Sequence, residues 1–246
     1  MDTPKQPANL APPTKPSLLR HHQDHLRILA FGNSLTEGYT DFGMRFHPYG
    51  NALKSKLSAL APDLTISVDI NGQSGDCVLD SLQPTTQRDR IKRAWQYLAI
   101  VLGGTNDLAH KLERGLEGSE EIFQGLRPLY EHVLNAGTSL IVMNVPERAI
   151  DTRSSDLAVK AHANREHLNR LIVQWAADSR LHREQIDGPK VYFFDLAALV
   201  PFPRDEDDGD TTPAEGGMWS LDDLHMTSRG HDFVGNELAA FIKNLL

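Results

Sequence analysis

Short apolar runs alternate along the chain with longer stretches in which apolar residues return every three or four positions. Leu26 to Phe31 is a β-rich run stopped by Gly32 and a polar turn, and similar runs recur at Leu64 to Ile70, Tyr97 to Leu102, Ser139 to Val145 and Val191 to Phe194. Runs of this length bounded by turn residues predict five strands. Between them, Ile122, Leu126, Leu129, Tyr130 and Val133 keep the spacing of one helix face, and Leu168, Leu171, Ile172 and Trp175 repeat it. A further stripe, Val234, Leu238, Phe241, Ile242 and Leu245, predicts a closing helix with Thr227 or Ser228 as its N-cap. Strands that alternate with helices require right-handed crossovers and a parallel sheet. The expected fold class is α/β: a three-layer, doubly wound, flavodoxin-like sheet of five parallel strands with helices on both faces.

Composition narrows the picture. A length of 246 residues fits one large domain, expected over 26–246, preceded by a Pro-rich, disordered tail over 1–25. The net charge of -8 argues against a nucleic-acid partner or an anionic membrane surface, since either would need basic groups. The only cysteine, Cys77, excludes an intramolecular disulfide and a paired-cysteine zinc site. No run approaches ~18 apolar residues and the tail has no apolar signal segment, so a cytoplasmic location without stable membrane insertion is expected. His21, His22 and His25 read as part of a solvated tail, and no metal site is expected.

In doubly wound sheets, sites form at the carboxyl ends of the strands. Four polar constellations fall there. Gly32-Asn33-Ser34-Leu35-Thr36-Glu37 follows the first strand, Asn71-Gly72-Gln73-Ser74-Gly75-Asp76 the second, and Gly103-Gly104-Thr105-Asn106-Asp107 the third. Asp222-Asp223-Leu224-His225 precedes the closing helix. Each alone is an ordinary cap, turn or chance spacing, and Asp107-Leu108-Ala109-His110 even repeats the Asp-x-x-His pattern. Together they supply a nucleophile, a base, a carboxylate to orient the base and donors for an oxyanion, which is the equipment of acyl transfer.

At this point the chain, from Ile28 to about Gly230, resembles the SGNH (GDSL-like) hydrolases, whose motifs are Gly-Asp-Ser-Leu, a glycine after strand two, Gly-x-Asn-Asp and Asp-x-x-His. The resemblance implies Ser34 as nucleophile, His225 as base and Asp222 as its orienting carboxylate, with Asp222 and His225 preferred to Asp107 and His110. It implies an oxyanion hole made of the Ser34 amide, the Gly75 amide and the Asn106 side chain, and no cofactor. Asn33 departs from the family aspartate, so the loop around Ser34 is expected to be ordered differently.

The implied function is hydrolysis of carboxylic esters, with short acyl or acetyl groups, through an acyl-enzyme; the partner is a small-molecule or carbohydrate ester. The alternative is a noncatalytic binding protein that keeps the fold. A nucleotide or flavin binder would need glycine-rich phosphate motifs that are lacking. Tyr39, Phe42 and Trp219, with Met44, Phe46 and Tyr49, could wall an acyl or alcohol pocket or belong to the core; the first three are the expected substrate-binding residues. Leu196 to Leu221 reads as a long loop whose acidic run, Asp205 to Asp210, rims the site and disfavours anionic esters.

Overall fold

The computed structural model describes residues 24–79, 91, 98–184, 187–203 and 217–246. The tail before Asp24, Tyr97 and the acidic run lie outside these residues. Five strands form one parallel sheet: β1 (His25–Gly32), β4 (Thr65–Gly72), β5 (Leu98–Leu102), β6 (Ser139–Met143) and β7 (Val191–Phe194). A two-stranded ladder, β2 (Tyr39–Thr40) with β3 (Arg45–Phe46), stands apart. The main order is β4-β1-β5-β6-β7, the flavodoxin-like order expected from the alternating pattern. Every residue of β5 and β6 is buried, as a parallel strand covered on both faces requires.

Helices cover both faces. On one side lie α2 (Tyr49–Leu60) and α8 (Ser228–Lys243), which bury Leu53, Leu57, Val234, Leu238 and Ile242. On the other lie α4 (Gly115–Asn135) and α6 (Asp156–Glu184), which bury Ile122, Leu126, Leu129, Leu168 and Ile172. Shorter helices sit at strand ends: α1 (Ser34–Glu37), α3 (Thr105–His110), α5 (Ala149–Thr152) and α7 (Leu196–Leu199). The predicted helices are observed, and Thr227 does cap the closing one, accepting from the Gly230 amide at 3.2 Å. One expectation is corrected here. The segment from Leu196 begins as the helical turn α7, whose N-cap Asp195 accepts from the Ala198 amide at 3.0 Å, rather than as loop.

The chain runs from β1 outward to β4 and then returns to the other side of β1 for β5. This reversal lies between β1 and β5, and in such sheets it opens a crevice at the carboxyl ends. Ser34 follows one of these strands and Asn106 the other.

Candidate active site

The turn after β1 is built to present Ser34. Asn33 takes an extended conformation as the N-cap of α1, and its Oδ1 accepts from the Leu35 amide at 3.1 Å. Ser34 is therefore the first residue of a four-residue helix, where its own N–H has no acceptor within the helix. The helix ends at Gly38, whose left-handed φ of 84° lets its N–H return to the Ser34 carbonyl. The cap needs only an oxygen acceptor, which the Asn33 amide supplies in place of the family carboxylate. Among the described residues its buried Nδ2 has no hydrogen-bond partner.

His225 reaches this turn from the far end of the chain. Its Nε2 lies 3.0 Å from Ser34 Oγ, and its Nδ1 lies 2.9 Å from Asp222 Oδ2. Asp222 Oδ1 accepts from the His225 amide at 2.8 Å and the Leu224 amide at 3.2 Å. Burial raises the pKa of this carboxyl, but the bonds from the His225 side chain and from the His225 and Leu224 amides outweigh it, and the net shift is downward. The surrounding loop is closed by a bridge between Trp219 and Met226 and by the Ser220 amide, which donates to the His225 carbonyl at 2.8 Å. Asp223, with a left-handed φ of 65°, pins it to α5: its carbonyl accepts from the Ala149 amide at 3.0 Å and its carboxylate meets Arg153 at 3.0 Å. The Tyr39 ring packs on the imidazole, centroids 4.3 Å apart.

The other Asp-x-x-His copy is arranged differently. Both oxygens of Asp107 accept from the Val78 amide at 3.0 Å, and Oδ1 also takes the Leu79 amide at 3.0 Å. Burial pushes this pKa up and the amide donors pull it back only in part. His110 is exposed, with Nδ1 3.6 Å from Cys77 Sγ.

Asp107 is thus a clasp on the loop after β4, and other groups hold that loop too. The Gln73 amide donates to the Gly32 carbonyl at 3.2 Å, the Asp76 amide to the Gln73 carbonyl at 3.2 Å, and the Ser74 amide to Glu37 Oε2 at 2.7 Å. Between them Gly75 is exposed with φ 75°, a conformation that favours glycine, and its amide makes none of these bonds. Asn106 crosses from α3 and donates through Nδ2 to the Asp76 carbonyl at 2.8 Å. An amide nitrogen carries two hydrogens, so one remains to donate elsewhere.

The expected substrate-binding residues separate into two groups. Tyr39 lies beside His225, and Phe42, Met44 and Phe46 on the β2–β3 hairpin are 62%, 80% and 53% exposed. Trp219 is corrected. Its ring is buried in the core against Phe202 and its Nε1 donates to the Pro201 carbonyl at 3.0 Å, so it has no surface to offer a ligand; Tyr49 is likewise core. Glu37, with its bonds to Ser74, is a part of the site that the sequence reading missed.

Residues 30–233 match the model of the GDSL-like Lipase/Acylhydrolase family. No curated protein matches the sequence. Among solved structures the chain is similar to a variant of an acetyl xylan esterase from Geobacillus stearothermophilus (22% identity, 88% of this chain and 94% of that one, TM-score 0.61). It is also similar to a carbohydrate acetylesterase family member from Sinorhizobium meliloti (18%, 90% and 99%, TM-score 0.58) and to a GDSL-like lipase from Bacteroides thetaiotaomicron (16%, 89% and 89%, TM-score 0.56). At these identities the structures speak for the fold, and the match over 30–233 speaks for the family. The chain belongs to the GDSL-like lipase/acylhydrolase family, a family of carboxylic ester hydrolases.

Proposed function

We propose that the protein is a serine esterase that cleaves short acyl or acetyl esters of small alcohols or carbohydrates through an acyl-enzyme on Ser34. The observation that carries this reading is the continuous chain from Ser34 Oγ through the imidazole of His225 to Asp222, with contacts of 3.0 and 2.9 Å. Pairing with the carboxylate puts the ring proton on Nδ1 and leaves Nε2 free to accept. His225 takes the hydroxyl proton as Oγ adds to the ester carbonyl. The Ser34 amide, the Gly75 amide and the Asn106 side chain donate to the resulting oxyanion. Collapse expels the alcohol, which takes the proton back from His225; water, activated by the same base, then releases the acid. Asp222 remains ionised throughout, in keeping with its lowered pKa.

The acetyl preference is supported by the names of the neighbouring structures, an acetyl xylan esterase and a carbohydrate acetylesterase. Tyr39 and Phe42 are assigned to the substrate rim because their hairpin adjoins His225. Among the described residues no helix is long and apolar enough to cross a membrane, and the single cysteine suits a cytoplasmic location. Hydrolysis of a chromogenic ester panel tests the proposal. The wild type should turn over short-chain esters and Ser34→Ala should lose nearly all of that activity at unchanged melting temperature; full turnover by Ser34→Ala would overturn it.

A further inference from the structure

We propose that Glu37 is a positioning residue, which aims the Gly75 amide at the reacting carbonyl and ties that donor to the helix carrying Ser34. The inference rests on the esterase reading of the same site.

The direction of the Gly75 N–H is set one residue earlier. That N–H lies in the rigid peptide plane that begins at the Ser74 carbonyl, so rotation about the Cα–C bond of Ser74 swings it. Glu37 grips Ser74 at two points: Oε2 accepts from the Ser74 amide at 2.7 Å and also from the Ser74 hydroxyl. These two attachments fix the Ser74 amide and side chain, while the Asp76–Gln73 turn bond and the Asn106 bond hold the chain beyond Ser74, so the Cα–C rotation between them is restrained from both sides.

Glu37 is also the last residue of the helix that Ser34 begins. The end of β4 lies directly against its backbone, since a Cβ added to Gly72 would stand 2.1 Å from the Glu37 nitrogen. Nucleophile and donor loop are thereby joined through both backbone packing and a side-chain bond. A negative charge this near a developing oxyanion would oppose the reaction if it faced the substrate. Here Oε2 is engaged by two Ser74 donors, which makes positioning the use that fits.

Steady-state kinetics and binding of an alkyl boronic acid, which forms a tetrahedral adduct on a reactive serine, test the assignment. Glu37→Ala should lower kcat about 10- to 100-fold, less than loss of a whole oxyanion donor, with KM nearly flat. Boronic acid binding should weaken by a similar factor. Glu37→Gln keeps an acceptor for Ser74 and should stay within about threefold of wild type. Ser74→Ala, which deletes one of the two bonds, should fall between these and decides the matter if Glu37→Ala fails to fold. A kcat for Glu37→Ala within about twofold of wild type, or a lowered melting temperature with kcat per folded molecule intact, overturns the assignment while leaving the esterase reading standing. Glu37→Gln as damaged as Glu37→Ala would also overturn it. A wild type that neither hydrolyses esters nor binds the boronic acid overturns both.

Discussion

Both oxygens of Asp222 face His225, one toward the ring and one toward the backbone, so the carboxylate fixes the imidazole in position as well as in tautomer. Asn106 is used in a comparable double manner. One of its amide hydrogens is held by the Asp76 carbonyl, which orients the group, and the other is available to an oxyanion. Asn106→Ala should therefore reduce kcat by roughly 10²- to 10³-fold and leave KM nearly unchanged, as expected for a donor engaged only in the transition state. Kinetics normalised to the folded fraction separate this from a structural defect: a lower melting temperature with normal kcat would assign Asn106 to the scaffold.

At the scale of elements, the strands were legible because β1, β5 and β6 are apolar runs ended by turn residues, and α4 and α8 because each buries a broad apolar stripe. Helix α2 was not legible. It has no side-chain cap at Pro48, and its buried face, Tyr49, Gly50, Leu53 and Leu57, is a narrow line on which glycine, tucked against Ile70, takes one place. Three of the four constellations could be read because they lie at the ends of β1, β4 and β5, where the fold class brings them together, and the fourth because it directly precedes the closing helix. The bond from Glu37 to Ser74 could not, since the partners are 37 residues apart and meet only through the register that pairs Gly32 with Gly72. Trp219 shows the opposite failure. Its closeness in sequence to Asp222 suggested the pocket, but pairing with Met226 turns its ring into the core.

For the whole molecule, the join between α8, the hairpin and the His225 loop carries a pH-dependent cost. His231 on α8 is completely buried, and its pKa is pushed down to about 4 by burial, helped by the charges of His47 and His225; the Tyr39 backbone and Asp232 oppose this only in part. The unfolded chain would protonate near the ordinary value of about 6.5. Because the folded pKa is depressed, this group's stability contribution is complete above about pH 6.5 and is lost as pH falls toward 4, by an amount on the order of 2–3 kcal/mol. His231→Leu removes that loss. Denaturant unfolding of wild type and variant should show a stability difference that shifts in favour of the variant between pH 7 and pH 4, whereas parallel pH profiles would show that His231 does not resist protonation.

The reactivity proposed for Ser34 draws on the ends of β1, β4 and β5 and on the loop before α8, and covalent labelling reads it directly. A serine-reactive fluorophosphonate, followed by peptide mass spectrometry, should place a single adduct on the peptide containing Ser34. Labelling should be lost in Ser34→Ala and His225→Ala and persist in His110→Ala. An adduct on another residue, or labelling that survives in Ser34→Ala, would contradict the assignment of Ser34 as the nucleophile.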